Sequence, residues 1–412
     1  MAYQEVTKTS YGSRLGNSLK GILSGLVLFI AATILLWWNE GNAIKTTRMI
    51  KSAESECVDV ADVATVDAAL NGKLIHATAV AQTDEILTDP DYGVSVNAVR
   101  LERDVEYYQW VEHSTSETKD KIGGGQETTT TYTYSKEWVS SPVNSDNFKD
   151  PDYQGSNYVR TTVNDNEVEA TKVSFGGYVL PKSMVSSIPA STSVSLPASL
   201  GNGIDTFVSD NVIYYGENPS TPAVGDVRVT FKQADGGEAS IIGKVNGNTF
   251  EPFKHKNGKQ MMTLQMGNHS MESMFESAKQ ANKFLLWVLR ILGIILVIAA
   301  LRMMFSILVT ILKVLPPLAK VGELGVNLVT GVVGAIWALI VILVAWVAHR
   351  PVLAIVLALV IAALIYFLIK KSKAVADAAP AAPAAPAAPA APAAPAAPAA
   401  PAAPEAPKTD AE

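Results

Sequence analysis

Two arginines within an apolar stretch are the residues of this chain most able to do chemistry. Between residues 284 and 315 the only charged side chains are Arg290, Arg302 and Lys313. A charge at membrane depth is costly and is usually paired or drawn to an interface. Arg290 and Arg302 could each extend to a membrane surface. Alternatively, one pairs with Glu323 or lines a polar path between helices, which would make it a functional intramembrane charge.

The rest of the sequence shows few patterns typical of catalytic or metal-binding residues. The five histidines are scattered and show no spacing typical of a metal site. Glu112 and Glu137 could face each other across a hairpin as an acid–base pair, but such a pair arises easily by chance. The single cysteine, Cys57, cannot form an intrachain disulfide and is expected to be an inert packing residue. The sequence predicts no catalytic residue, cofactor or metal, and therefore a protein that is not an enzyme.

The apolar segments around these residues indicate an integral membrane protein. Residues 21–38 carry no charge and are long enough to cross a hydrocarbon core as a helix. Residues 284–303, 324–348 and 352–369 are also apolar runs long enough to span a bilayer, although the first of them contains Arg290 and Arg302. The predicted fold is an α+β membrane protein with one N-terminal and three C-terminal transmembrane helices, and a large β-rich domain, residues 39–283, between the first two.

The distribution of charge predicts the orientation in the membrane. Basic residues precede the first span, separate the second from the third, and follow the fourth, so the positive-inside rule places all three groups in the cytoplasm. Residues 39–283 carry 21 Lys and Arg against 33 Asp and Glu, a net charge of −12. This acidic domain is expected outside the cytoplasm, and its charge argues against nucleic acid as a ligand.

Aromatic and basic residues flank the spans where a membrane interface is expected. The basic residues after the first span run against the positive-inside rule. They either bind lipid phosphates or form a solvated link between the helix and the domain. The predicted interface anchors are Trp37, Trp38, Lys45, Arg48 and Arg350, with Lys51 as a further basic residue near the first span.

The central domain has the alternation and turn signals of β structure. Residues 94–113 and 128–139 predict a long antiparallel hairpin joined by a glycine-rich connection. Further strands are predicted at 73–81, 158–164, 167–175, 211–215, 226–232, 239–245 and 259–265. Asn246-Gly247 predicts a tight turn, and Ser270 is a candidate N-cap for a helix leading into the second span.

The second span is longer than a bilayer requires, because a helix over residues 284–315 would reach about 48 Å at 1.5 Å per residue. The prediction is therefore a crossing that ends near residue 303, followed by an amphipathic or re-entrant segment on the cytoplasmic face. The predicted order is a cytoplasmic N-terminus (1–20), transmembrane helix 1 (21–38), the β-rich domain (39–283), transmembrane helix 2 (284–303), the amphipathic or re-entrant segment (304–323), transmembrane helix 3 (324–348), transmembrane helix 4 (352–369) and a cytoplasmic, disordered Ala-Pro-rich tail (370–412).

An ordered series of short motifs resembles the LUMA family (transmembrane protein 43). The resemblance runs from about residue 20 to 370 and includes the layout of one span followed by three. The motifs are Asn39-Glu40-Gly41, Ala43-Ile44-Lys45-Thr46, Asp89-Pro90-Asp91-Tyr92-Gly93-Val94, the segment 105–112, Tyr132-Thr133-Tyr134 with Glu137-Trp138, the segment 144–148, Glu217-Asn218-Pro219, Val224-Gly225-Asp226-Val227-Arg228-Val229 and Arg350-Pro351.

The resemblance implies a four-pass membrane protein that self-associates and organises protein complexes in its membrane. Eukaryotic members place the large domain in the lumen of the endoplasmic reticulum and nuclear envelope, with emerin and lamins as partners. The family carries no catalytic residues that could be transferred to this chain. The Ala-Pro tail departs from the family and is typical of a bacterial protein. A bacterial inner-membrane location with a periplasmic domain is therefore predicted, or an endoplasmic reticulum or nuclear-envelope location if the source is eukaryotic.

Together these features predict a non-enzymatic scaffold. Its expected partners are further copies of itself, other membrane proteins and lipids, with no nucleic acid and no small-molecule substrate. An extracytoplasmic enzyme acting on the cell envelope and a channel or transporter component remain the alternatives. The first depends on the size and acidity of residues 39–283, and the second on Arg290 and Arg302.

Overall fold

The structure is a computed structural model that describes residues 3–314, 316–350 and scattered helical positions between 355 and 370. The chain divides into two units, residues 1–351 and 352–412. The predicted fourth span (352–369) and the tail (370–412) lie largely outside the described residues. The fold described below is that of the first unit.

Three helices of this unit are long and apolar enough to cross a membrane. Ser10 and Ser270 cap the first and the third of the four α-helices, each accepting a hydrogen bond from the backbone N–H three residues later, as Ser270 was predicted to do. The α-helices are α1 (Tyr11–Glu56), α2 (Lys182–Val185), α3 (Met271–Leu312) and α4 (Pro316–Ala348), with short 3-10 turns at Ala68–Leu70, Ser145–Asn147, Pro151–Tyr153 and Ala198–Gly201.

The three long helices form a bundle in which α3 is antiparallel to α1 and α4 is parallel to α1. Gly25 lets α3 approach closely, since a Cβ at this position would lie 2.8 Å from the Ala300 carbonyl oxygen. Trp337 on α4 donates a hydrogen bond of 3.2 Å to the Thr33 hydroxyl on α1. The buried apolar residues between the helices are Ala32, Leu36, Val297, Leu301, Ala338 and Val341.

Helix α3 continues without a break to Leu312, past residue 303, where the membrane crossing is predicted to end. The last turns of α3 stay on α1, where the hydroxyls of Ser18 and Thr310 lie 2.7 Å apart. Helix α4 begins at Pro316, so residues 304–323 form the end of one helix and the start of the next. Helices α1 and α3 both extend well beyond the thickness of a hydrocarbon core, so the end of the crossing near residue 303 stays a prediction.

Nineteen strands precede or separate the long helices in the described residues. They are β1 (Tyr3–Thr9), β2 (Val58–Val60), β3 (Leu74–Gln82), β4 (Ile86–Thr88), β5 (Ser95–Asn97), β6 (Arg100–Asp120), β7 (Gln126–Val139), β8 (Asn166–Glu169), β9 (Ser174–Phe175), β10 (Tyr178–Val179), β11 (Thr192–Ser193), β12 (Thr206–Ser209), β13 (Val212–Tyr215), β14 (Val227–Ala234), β15 (Gly237–Asn246), β16 (Thr249–Glu251), β17 (Phe253–Lys254), β18 (Gln260–Met261) and β19 (Thr263–Met266).

Two main sheets enclose the core of the β-rich domain. One has the order β1-β7-β6-β14-β13-β12, with β8 and β11 attached, and the other has the order β19-β15-β16-β10-β9-β3-β2. The fully buried Phe175, Phe231 and Ile241 belong to the core between them. The predicted long hairpin is confirmed as β6 and β7. Residues 158–164 form no strand; Tyr107 and Gln109 of β6 donate side-chain hydrogen bonds to backbone carbonyls of this segment instead.

A second apolar cluster fixes the domain to the helices. Met49, Ile50 and Ala53 near the end of α1 pack with residues of the domain and with the start of α3. The other buried members of this cluster are Leu74, Ile242, Phe253, Met261, Met274 and Phe275. The C-terminal end of α1 and the N-terminal end of α3 are therefore the domain end of the bundle.

The long hairpin reaches the opposite end of the bundle. Its tip, residues 120–126, receives hydrogen bonds from the Arg14 guanidinium at the Gly124 and Gly125 carbonyls, and the Gly123 N–H donates to the Val314 carbonyl. Strand β1, which the sequence analysis did not predict, pairs antiparallel with β7. We call the unit formed by β1, residues 107–120 of β6 and β7 the ribbon.

Candidate functional site at the domain end of the helices

Arg290 has a defined partner, and it is Glu40 of α1. The Arg290 Nε lies 2.6 Å from Glu40 Oε1, and Nη2 lies 2.9 Å from Oε2, a bidentate arrangement. The Glu40 side chain is 1% exposed and that of Arg290 is 16% exposed. The guanidinium also lies 4.9 Å from the centre of the Trp287 ring. The pair joins α1 to α3 at the level where the apolar segments end.

The predicted pairing of an arginine with Glu323 is not seen. Arg302 and Glu323 are both exposed, and neither takes part in an ion pair among the described residues. Glu40 was not predicted as this partner, because in the sequence it falls within residues 39–283, which are assigned to the aqueous domain. The available signal was the position of both residues beside an apolar span, where a lone carboxylate and a lone guanidinium each need a counter-charge.

Four tryptophans surround the bundle near this pair. Trp37, Trp38 and Trp287 are exposed, and Trp346 is half-buried. The ring of Trp37 lies 5.6 Å from that of His349, which follows the end of α4. Tryptophan is enriched where its amphipathic ring can occupy the headgroup region of a bilayer. The four rings lie near one level of the bundle, on all three helices, and their place at a membrane interface stays a prediction.

The predicted basic anchors divide into different roles. Arg48 donates a hydrogen bond of 2.7 Å to the His349 carbonyl, and it thereby caps the C-terminal end of α4. The Arg350 guanidinium lies 4.4 Å from the centre of the Trp346 ring. Lys45 is exposed. Whether these residues contact lipid remains a prediction.

A cleft of about 290 Å³ opens at this level between α1, α3 and α4. Its apolar lining comes from the side chains of Ala43, Ile44, Ile50, Leu286 and Trp346. The charged residues that line it are Glu40, Lys51, Lys279, Lys283, Arg290 and Arg350. The cleft combines an apolar interior with an excess of positive charge.

The single cysteine lies just beyond this end of α1. Cys57 is the C-cap residue, and its N–H donates to the Ala53 carbonyl. Burial, with a smaller contribution from Asp59, raises the pKa of the Cys57 thiol from 9.0 to about 12. The thiol is therefore protonated at neutral pH, which is the state of an inert packing cysteine.

Two motifs that carry the family resemblance form buried ion pairs in the domain. Asp89 accepts a hydrogen bond of 2.7 Å from Arg103 and others from the N–H groups of Asp91 and Tyr92. The side chains of Asp89 and Arg103 are 1% and 3% exposed. Asp89 therefore fixes its own turn against β6, which is a structural role.

The second motif centres on Asp226, whose side chain is fully buried. Its carboxylate accepts hydrogen bonds from the Arg160 guanidinium at 2.9 Å, from the Tyr214 hydroxyl and from the Ala223 N–H. Burial, together with the hydrogen bond to Asp226, raises the pKa of the Tyr214 hydroxyl. These contacts fix the loop before β14 and leave the carboxylate fully engaged.

Glu112 and Glu137 do not face each other, which corrects the acid–base pairing considered above. In the hairpin register Glu112 is opposite Tyr134, and Glu137 is opposite Gln109, so the two carboxylates lie on different faces of the ribbon. Glu112 accepts a hydrogen bond of 2.6 Å from the Tyr134 hydroxyl. Hydrogen bonds from Ser135 and then His113 lower the pKa of Glu137.

A wide groove of about 820 Å³ lies on the domain surface. Its cations are paired with its carboxylates: Arg100 contacts Glu167 at 3.3 Å, and Lys182 contacts Glu169 at 3.4 Å. Within the described part of the chain, no three His, Cys, Asp or Glu side chains are grouped as a metal site requires.

These observations define a class: integral membrane proteins in which a helix bundle carries a large β-rich domain. The family model for transmembrane protein 43 matches residues 107–351. Transmembrane protein 43 of Homo sapiens is 32% identical over 288 residues, which cover 67% of this chain and 71% of the relative. The Drosophila melanogaster homolog is 28% identical over 272 residues, or 64% of this chain and 71% of the relative. No solved structure matches the chain.

The chain belongs to the transmembrane protein 43 family. The resemblance found in the sequence is confirmed. The family is described by its place in a membrane and not by a catalytic activity.

Proposed function

We propose that this protein is a non-enzymatic membrane scaffold that self-associates and gathers other membrane proteins or lipids. The observation that carries the proposal is the ribbon. Its polar strands extend along the same direction as the apolar helices, and its far end is fixed to the end of the bundle opposite the domain.

The dimensions support a position of the ribbon at the depth of the membrane. Strand β7 has 14 residues, or about 46 Å at ~3.3 Å per residue. From Arg14, which contacts the tip, to the end of α1 at Glu56 is about 63 Å at 1.5 Å per residue. The ribbon runs from its tip toward the domain. It is therefore long enough to pass alongside the whole of the predicted first span, residues 21–38.

The ribbon is unsuited to contact with lipid. Residues 114–119 of β6 are exposed and entirely polar or charged. Strand β1 and residues 112–120 of β6 have a ladder partner on one side only among the described residues, so both edges leave backbone N–H and C=O groups unpaired. Unpaired backbone groups are not tolerated in hydrocarbon. Further copies of this chain would cover these edges and leave the exposed apolar faces of the helices toward the lipid.

The proposed orientation follows the charge distribution. The start of α1 lies at the cytoplasmic face, and the domain apart from the ribbon is periplasmic in a bacterium or lumenal in a eukaryote. In this orientation the tip of the ribbon lies at the cytoplasmic end of the bundle. Four helical crossings, including residues 352–369, keep the start of α1 and the tail on that side.

A pair of introduced cysteines tests self-association through the ribbon. Val6 of β1 and Glu117 of β6 are at the same level, since both are aligned with Thr129 of β7. They are two strand spacings apart, or about 9.5 Å, which exceeds the ~7 Å limit between Cα atoms of a disulfide. In a Cys57→Ala background, oxidation of Val6→Cys with Glu117→Cys should therefore link different copies.

The matched control is Val6→Cys with Thr129→Cys, because these positions are directly paired within one chain. This variant should give an internal disulfide and remain a monomer on a non-reducing gel. Thr115→Cys and Lys119→Cys replace Glu117→Cys in turn, to allow for a shift in register between copies. If no cysteine pair gives linked copies in membranes, and the intact protein has the mass of a monomer in mild detergent, self-association is wrong.

The polar ribbon also favours a second candidate function, a channel component. Ribbons enclosed by helices would provide a water-filled path lined by Glu117, Lys119 and Thr115. Protein reconstituted in liposomes should then conduct ions, and Glu117→Gln should change cation selectivity, whereas Arg302→Gln should not. If the liposomes with protein conduct ions no faster than protein-free liposomes, the channel function is wrong.

A further inference from the structure

The cleft at the domain end of the helices has the properties of a binding site for an anionic lipid. We propose that it holds the phosphate headgroup of an anionic phospholipid, with the acyl chains lying along the adjoining apolar helix surface. This inference builds on the proposed function, because it names a lipid partner and its site. It does not depend on self-association.

The position of the cleft is that of a lipid headgroup. Trp346 forms part of its wall, and Trp37, Trp38 and Trp287 lie within about one helical turn of its inner end at Glu40 and Arg290. Tryptophans at this density mark the headgroup region. Below this level the outward faces of the helices are apolar, with Val27, Ile30 and Ile34 exposed on α1.

The charge of the cleft matches a phosphate. Five of its thirteen lining residues are Lys or Arg, and Glu40 is the single acidic one. Arg290 is neutralised by Glu40 and Lys279 by Glu54, which lies 2.8 Å away. The side chains of Lys51, Lys283 and Arg350 take part in no ion pair among the described residues. Three positive charges around an apolar cavity remain for an anionic ligand.

The polar groups between these charges are already organised. Asn282 donates hydrogen bonds to the Ala43 carbonyl at 3.1 Å and to the Thr47 hydroxyl at 3.0 Å. These bonds hold α3 against α1 across the cleft, and Arg48 fixes the end of α4 through the His349 carbonyl. The walls are therefore held in place by contacts that need no ligand, and a ligand would have little ordering to induce.

The site also accounts for Lys51, one of the basic residues after the first span that run against the positive-inside rule. In the proposed orientation Lys51 and Lys283 lie on the extracytoplasmic side, where positive charge is normally scarce. A lysine beside an anionic headgroup is stabilised by electrostatic attraction. Their position beside the cleft lets both lysines bind a lipid phosphate. This role explains their presence on the side of the membrane where the positive-inside rule predicts few basic residues.

Lipid retention by the full-length protein tests the proposal. Protein in mild detergent is incubated with phosphatidylglycerol or phosphatidylcholine, and bound lipid is counted by native mass spectrometry. Phosphatidylglycerol should be retained at least tenfold more tightly. Lys51→Gln/Lys283→Gln/Arg350→Gln should remove this preference. Lys149→Gln/Lys254→Gln/Lys256→Gln, which makes the same change in net charge at exposed domain positions outside the cleft, should keep it within about twofold.

Two further measurements identify the source of the phosphate and control for a folding defect. Glycerol 3-phosphate at millimolar concentration should not displace the lipid; if it does, the cleft recognises a free phosphate ester and the lipid assignment is wrong. Lys283→Gln alone, an exposed substitution, should weaken retention severalfold at an unchanged melting temperature. Equal retention of both lipids, or equal behaviour of the two triple variants, overturns the proposal. The mass of the protein assembly, read in the same spectra, reports self-association separately.

Discussion

Glu40 and Arg290 form a bidentate ion pair between α1 and α3, with atom separations of 2.6 and 2.9 Å. Glu40 is buried, so removing its partner leaves an uncompensated charge. We expect Arg290→Met to lower the free energy of unfolding by about 3 kcal/mol. Glu40→Gln together with Arg290→Met should cost less than Arg290→Met alone. Thermal unfolding in detergent followed by circular dichroism measures both.

The half-buried pair Glu54–Lys279, which is more accessible to solvent, is the control for this prediction. Its nitrogen–oxygen distance of 2.8 Å is similar, but both side chains are 35% exposed. Lys279→Met should therefore cost less than about 1 kcal/mol. Equal losses for Lys279→Met and Arg290→Met would show that burial does not set the energy of the inner pair.

Gly25 should tolerate no side chain. A Cβ there would lie 2.8 Å from the Ala300 carbonyl oxygen and 2.8 Å from Met304 Cγ, so Gly25→Ala forces α1 and α3 apart. We expect a loss of about 1–3 kcal/mol, as for other overpacked sites. At Gly21 the nearest atom would be 3.6 Å away, an ordinary contact. Gly21→Ala should be neutral or slightly stabilising, because alanine favours helix. Melting temperatures that fall equally in both variants would contradict the close approach.

The Asp89–Arg103 pair should be essential for the β-rich domain. Arg103→Met leaves the buried Asp89 carboxylate without its counter-charge, and we expect a loss of about 3 kcal/mol or more. Hydrogen exchange should show the loss as faster exchange in β6 and in the turn after β4. Lys232→Met, which removes an exposed pair with Asp104, is the control and should leave exchange unchanged.

The Cys57 thiol should make stability fall at high pH. Its pKa is raised from 9.0 to about 12 in the folded protein, so between these values the folded state keeps a proton that the unfolded state has lost. The free energy of unfolding therefore decreases as pH rises from about 9 toward 12. Cys57→Ala should flatten this dependence. The labelling rate of Cys57 by a maleimide should keep rising above pH 9; a plateau near pH 9 would show an ordinary thiol.

The local pattern of the sequence was sufficient for much of the fold. Uninterrupted apolar runs predicted the membrane helices, because a bilayer demands a fixed length of apolar chain. Alternation around the glycine-rich connection predicted the β6–β7 hairpin, and Ser270 was identified as a helix cap by its neighbours alone. Strand β1 could not be found in this way, because residues 3–9 are stabilised only by pairing with β7, more than a hundred positions away.

The candidate site also has features that the sequence predicts and features that only the tertiary structure shows. The sequence determined that this is a membrane protein of its family, with charged and aromatic residues at the ends of its spans. Only the tertiary structure decided that Arg290 pairs with Glu40 and that Lys51, Lys283 and Arg350 share one cleft. The physical reason is that a helix of 46 residues packed against one of 42 sets its contacts by the packing register between them. That register depends on close approaches such as the one at Gly25, which the order of residues along the chain does not reveal.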